Sequence, residues 1–229
     1  GWVAENAALS SDDADFDSVT LSPKHAGALT EYSRNMLLQS SPAVEQLLRN
    51  ILARNLALAI DSAAIQGGGS NEPDGILETS GIQTEAYGTS LFDTTAEMMA
   101  LADIANVEAS RAFLTSNTVK KIVAQAQDAN NRPYTVGDIF HGESVTFSNQ
   151  VPTDLGAGND EHALIYGDFS EFMMGIWSEI DLLVNPFEST AYSKGNVSMR
   201  AMATVDFAVR HPAAFVSATG VTASAAAIA

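Results

Sequence analysis

Residues 65 to 77 read IQGGGSNEPDGIL: three consecutive glycines, a polar stretch, a proline and a fourth glycine. Such a cluster cradles a phosphate when its backbone N–H groups open a helix, because the N-terminal end of a helix carries partial positive charge. Here the glycines follow a helical stretch, so an anion would meet the negative end. No Gly-Lys-Ser/Thr follows, and Glu72 stands where the third glycine of G-x-G-x-x-G belongs. Gly67 as a left-handed helix cap, with Pro73-Asp74-Gly75 as a turn, accounts for the residues without a ligand. The segment is read as a helix stop that redirects the chain.

The remaining chemistry-bearing residues are scattered. DDADFD at 12 to 17 evokes a calcium loop, but counting from Asp13 puts Ser18 at the glycine position and Lys24 at the bidentate glutamate, so a solvated acidic turn is expected. His25, His141, His162 and His211 are far apart and match no zinc spacing, so packed or surface histidines are expected and no metal or cofactor. Glu179 and Asp181 could form an acid–base pair, yet alternate residues of a strand point to opposite faces. Asp61 shares a helical stripe with Arg54, which predicts an ion pair or a helix-end bond. The Met98–Met99 and Met173–Met174 pairs are read as core filling. No G-x-S-x-G elbow occurs, and no catalytic residue is expected.

The elements that must position these residues are read from periodicity. From Asp15 to Leu29 the pattern is strand-like and SPK closes it. Ser41 suits a helix N-cap, Pro42 the first helical position and Glu45 the first turn. Val44, Leu47, Leu48, Ile51, Leu52 and Ala59 then share one stripe, with Arg49, Asn50, Arg54 and Asp61 opposite. LALAIDSAAI is apolar nearly all round, which predicts a helix running from half-exposed to buried. A helix over Pro42–Ile65 of about 24 residues is a rod of roughly 36 Å. DTTAEMMALADIANV predicts a second helix capped by Thr94 or Thr95, AFLTS a strand, and NTVKKIVAQAQDA a third helix. ESVTFSN, HALIYGD, EFMMGIW, EIDLLVN and NVSMRAMATVDFAVRH predict strands, and SATGVTASAAAIA a loose tail. Interspersed helices and strands without a strict repeat predict an α+β fold with mixed sheets.

Composition bounds the function. The chain has 229 residues, 46% of them hydrophobic, and no cysteine. It can therefore bury a substantial core, and disulfide and thiolate chemistry are excluded. Its net charge is −17, which opposes tight binding to nucleic acid or to an anionic membrane. No apolar run approaches the roughly 20 residues that cross a bilayer. Trp2 and Val3 at the extreme end suggest that the chain is entered mid-fold, after an upstream segment.

In order and spacing, a series of stretches resembles the major capsid proteins of tailed bacteriophages, the Hong Kong 97-type family. They are GWVAE, DFDSVTLSPKHAGALTEYSRNML, AIDSAAIQGGGSNEPDGIL, AFLTSNTVKKI, IFHGESVTFSNQVP, ALIYGDFSEFMMGI and VSMRAMATVDFAVRHPAAF. The resemblance implies a structural shell subunit, not an enzyme, whose long helix is the spine of a peripheral domain. Residues 1–72 would hold the end of the extended loop and that spine, 73–187 the axial domain, and 188–229 the return to the peripheral domain. The family's N-terminal arm and most of its extended loop would precede Trp2, and no crosslinking residue is carried over. Implied partners are copies of the chain as hexamers and pentamers, with a scaffold, a maturation protease and a portal. DNA would be enclosed but not specifically bound, with no membrane, in a virion capsid assembled in the bacterial host cytoplasm. Glu45, Arg49 and Arg54 are the candidate subunit contacts. An encapsulin-type compartment and a cytosolic enzyme of mixed α+β fold remain the other readings.

Overall fold

The computed structural model describes residues 2–3, 18–39, 43–88, 90–107, 110–127 and 130–222. The acidic run at 12–17, the start of the strand expected from Asp15, the helix start at Ser41 and Pro42, and the tail beyond residue 222 lie outside the described residues.

The first strand, β1, spans Lys24–Ser33, so SPK opens it rather than closing it. Its inward residues, Ala26, Ala28 and Tyr32 among them, alternate with exposed ones. Small side chains there give a weak strand signal, but they let a helix approach the sheet closely. A short helix, α1 (Arg34–Gln39), leads to α2, Ala43–Gln66, 24 residues long. Leu52 and Leu56 of α2 are buried against Tyr32 and against Met199, Ala201 and Ala203 of a later strand, and Ala63 packs on Val205 and Phe207. The buried stripe is thus Leu52, Leu56 and Ala63, with Leu48 and Ile60 partly buried. Leu48 and Leu52 of the expected stripe belong to it, whereas Leu47 and Ile51 are 55% and 44% exposed, Ala59 is exposed and Val44 is only half-buried. Nor is the second half of α2 enveloped: Ala57, Ala59, Asp61 and Ser62 face outward.

Beyond the glycine loop the chain forms β2 (Gln83–Ala86), α3 (Leu91–Ile104), β3 (Arg111–Ser116), α4 (Asn117–Gln125), α5 (Val136–Ile139), β4 (Ser144–Ser148) and β5 (Leu164–Asp168). Each helix opens on a side-chain cap. Ser90 rather than Thr94 or Thr95 caps α3, accepting from the Asp93 N–H, and Thr94 and Thr95 sit buried in its first turn. Ser116 caps α4, and Thr135 with Asp138 forms a capping box on α5.

β6 (Phe172–Asn185), α6 (Ser189–Lys194), β7 (Asn196–Val209) and β8 (Phe215–Thr219) complete the chain. EFMMGIW and EIDLLVN form one 14-residue strand, because β-bulges between Ile176 and Ser178 and between Ser178 and Asp181 absorb the irregularity between them.

Two sheets result. β1-β7-β6 is antiparallel, with Lys24 opposite Val205 and Ser33 opposite Asn196. β2-β8-β5-β3-β4 is mixed, with β2 parallel to β8 and β3 parallel to β4. The chain therefore visits the three-stranded sheet, the five-stranded sheet, and then each again. β6, from the segment 73–187, pairs with β7 in the sheet that holds β1, and β8, from 188–229, lies between β2 and β5. Ser217, Ala218 and Thr219, which the sequence places in a loose tail, pair in parallel register with Thr84, Glu85 and Ala86 of β2. Ladder hydrogen bonds supply what weak local patterning does not.

The main core lies in the five-stranded sheet and its helices. Phe113, Phe140, Tyr166, Phe215 and Met98 are fully buried. The Phe113 ring lies 4.2 Å from Tyr166 and 5.0 Å from Phe140, centroid to centroid. Each such side chain contributes roughly 2–3 kcal/mol by leaving water.

Candidate interaction surface

The glycine loop stops α2 by close approach rather than by a left-handed cap, for Gly67 is not among the glycines with positive φ. The Gly67 N–H donates to the Ala63 carbonyl at 2.7 Å, and the Gly75 N–H to the Gly67 carbonyl at 2.8 Å. A Cβ on Gly67 or on Gly75 would stand 2.6 Å from the Ala63 oxygen. Both glycines are needed because the returning chain lies flat on the helix end. The tight turn is Gly69–Glu72, closed by a 3.1 Å backbone bond, and not Pro73–Gly75. A groove of about 530 Å³ beside it is lined by Glu72, Asp74 and Asp206 with Lys24 as its cation. Asp206 accepts the Ser22 N–H at 2.6 Å. Such an acidic lining repels a phosphate.

The other sequence candidates separate. His25 Nδ1 lies 2.9 Å from the Thr204 hydroxyl, and the His141 ring lies tilted by 51° against Phe92 at 4.3 Å between centroids. His162 is buried with neither ring nitrogen partnered, and burial lowers its pKa. The Tyr166 hydroxyl is likewise buried without a partner; burial, followed by the Glu143 charge, pushes its pKa up to about 12. Glu179 and Asp181 are exposed on β6. Asp61 makes no ion pair with Arg54, since seven residues of helix separate them by roughly 10 Å along the axis. Met98 fills the core, but Met173 and Met174 are 43% and 47% exposed. Among the described residues no three His, Asp or Glu side chains gather to hold a metal ion, and no helix is long and apolar enough to cross a membrane.

What the fold concentrates instead is exposed apolar surface. Among the described residues β6 is an edge strand, so one side of its backbone has no ladder partner there. It exposes Met173, Met174, Ile176, Trp177, Ile180 and Leu183, and past its end Phe187 is 80% exposed. Tyr192 on α6 is 68% exposed. An apolar groove of about 300 Å³ runs between α2 and β6, between Ala57 and Ile60 on one side and Met174, Ile176 and Ile180 on the other. An edge strand of this length and apolarity is a pairing surface, where natural monomers place charge or proline. Sequence reasoning missed it. The signal was the lack of alternation in FMMGIWSEIDLLVN, which reads equally as a strand buried on both faces.

Of the three candidate contacts on α2, Glu45 and Arg49 hold each other, Arg49 Nη2 donating to Glu45 Oε1 at 2.7 Å. Both lie near the Tyr32 hydroxyl, whose pKa is raised first by burial and then by Glu45. Arg54 is exposed and makes no ion pair with any described residue.

Residues 1–220 match the phage capsid family. The chain is 26% identical over 220 residues to the major capsid protein of Halomonas phage phiHAP-1, covering 93% of this chain and 35% of that protein. It is 20% identical over 243 residues to that of Klebsiella oxytoca phage phiKO2, covering 96% and 57%. The chain thus spans between about a third and somewhat over half the length of these relatives. Among solved structures, the capsid of the native GTA particle superposes with a TM-score of 0.76 at 22% identity, covering 97% of this chain and 81% of the other. A chain from Mycobacterium phage Ogopogo gives 0.75 at 17%, covering 96% and 82%. The architecture is the Hong Kong 97-type capsid fold, and the chain belongs to the phage capsid family.

Proposed function

We propose that the protein is the major capsid subunit of a tailed phage or prophage, assembling through hexamers and pentamers into an icosahedral head around double-stranded DNA. The observation that carries this is the family match over residues 1–220. The exposed apolar length of β6 supports it, because a shell subunit gains its stability from many repeated contacts with copies of itself. In this reading α2 with the three-stranded sheet is the peripheral domain, and the five-stranded sheet with α3, α4 and α5 the axial one. Glu45, Arg49 and Arg54 are subunit contacts, with Arg54 the most available. The role is structural rather than enzymatic. A net charge of −17 suits a wall that holds DNA without gripping it. Scaffold, maturation protease and portal are the further partners, and assembly takes place in the host cytoplasm.

Negative-stain electron microscopy of the whole gene product, expressed alone and with a neighbouring scaffold, tests the reading. Capsomer rings or closed polyhedral shells are expected. A uniform monomer under every condition overturns it.

A further inference from the structure

We propose that α2 pairs antiparallel with α2 of a second copy across a two-fold axis, through the helix face turned away from its own sheet. The inference rests on the shell reading and deepens it. α2 carries two stripes. Leu48, Leu52, Leu56, Ile60 and Ala63 face the sheet. On the opposite side, Leu47, Ile51, Arg54, Leu58 and Asp61 recur at alternating spacings of four and three. That is the seven-residue period with which one helix meets another. Leu47 and Ile51 are exposed large apolar residues, and Leu58 is half-buried. Arg54 and Asp61 are exposed and make no hydrogen bond or ion pair with any described residue.

The arrangement of charge fixes the occupant and its direction. Arg54 lies four residues before Leu58, and Asp61 three after it. Antiparallel pairing centred on Leu58 sets this leucine on the partner's Leu58 and brings Arg54 within one residue, about 1.5 Å of helix rise, of the partner's Asp61, and Asp61 equally near the partner's Arg54. Parallel pairing would set Arg54 on Arg54 and Asp61 on Asp61, which repel. A self-complementary patch is what an isologous two-fold contact requires, and an icosahedral shell contains two-fold axes. The apolar groove between α2 and β6, with Asp61 on its wall, continues this surface onto Ile176 and Ile180.

The absence of cysteine makes the test direct. In particles assembled from the whole gene product, with any cysteine outside these 229 residues replaced by serine, Leu58→Cys is the sole thiol and meets its own copy only across the proposed axis. Mild oxidation is expected to convert most subunits to disulfide dimers on a non-reducing gel, whereas Lys121→Cys, exposed on α4, gives few. Arg54→Asp and Asp61→Arg are each expected to cut particle yield at least about tenfold, because the loss repeats at every contact, and the double exchange to restore it. Particles that form normally with either single charge reversal, or that give no Leu58→Cys dimer, overturn the pairing and leave the capsid reading standing. Single reversals that impair assembly without rescue by the double exchange also overturn it and point to a different helix on this face. If the unaltered protein forms no particles, the capsid reading fails first.

Discussion

β5 and β6 follow each other within four residues, yet every residue of β5 is buried and no residue of β6 is. β5 sits third of five strands, between β8 and β3, in the buried cluster that holds Phe113, Phe140 and Phe215. β6 is the outer strand of three and carries comparably apolar side chains into solvent. The difference teaches where each half of the molecule draws its stability. The five-stranded unit closes its own core. The α2 unit, lined inside by Ala26, Ala28, Ala201 and Ala203, has a thin core and displays Leu47, Ile51, Ile176 and Trp177 outside. In the proposed shell those residues are completed by neighbouring copies.

Substitutions in the closed unit sharpen the contrast most. Phe113→Ala removes a fully buried ring stacked on Tyr166 and is expected to cost about 4 kcal/mol. Denaturant unfolding of the soluble subunit measures it. Leu56→Ala, between α2 and its sheet, is expected to cost about 2–3 kcal/mol, at the lower end because its alanine-lined surroundings can collapse. A loss equal to that of Phe113→Ala would break the comparison. Gly67→Ala forces the Ala63 carbonyl and the returning loop apart, with an expected loss of roughly 2 kcal/mol, read as a lower thermal midpoint.

On the open unit the effects on the subunit shrink while those on assembly grow. Ile176→Ser together with Trp177→Ser is expected to change subunit stability by less than about 1 kcal/mol, yet to abolish particles in the microscope. Normal particles from that variant would show that β6 is not an assembly surface. The smallest effect is electrostatic. Arg210 beside Glu171 lowers the carboxyl's pKa. A carboxyl depressed in the folded state stabilises above its unfolded value of about 4.3 and loses that contribution as pH falls through the lower folded value. Glu171→Gln is therefore expected to lower the melting midpoint slightly at pH 7 and not at all once the wild-type carboxyl is protonated, as thermal melts across that range would show.

Much of this was legible in the residues. The length and end of α2, the strands β3, β4, β5 and β7, helices α3 and α4, and the mixed α+β class follow from period and punctuation. The failures share a cause. β1 was displaced toward Asp15 because alanine and glycine carry little strand signal. β8 was read as tail because Ser217, Ala218 and Thr219 owe their place to β2, more than 130 residues away. Met173 and Met174 are exposed, and of their strand Phe172 and Leu182 are the residues that pack against the core.

By itself the sequence determined what local chemistry decides: the length of α2 and its end at Gly67, the presence of α3 and α4, and that no disulfide forms within these residues. It also carried, in the order of its motifs, the family. Only the tertiary structure decided which apolar stripe of α2 meets the sheet and which stays outside. It also decided that Glu45 and Arg49 satisfy each other while Arg54 and Asp61 pair with no described residue, and that β6 is an edge among the described strands. Hydrophobicity and periodicity show that a face is sticky. Which partner covers it depends on strand pairing between residues far apart in the chain, and on surfaces that belong to other copies.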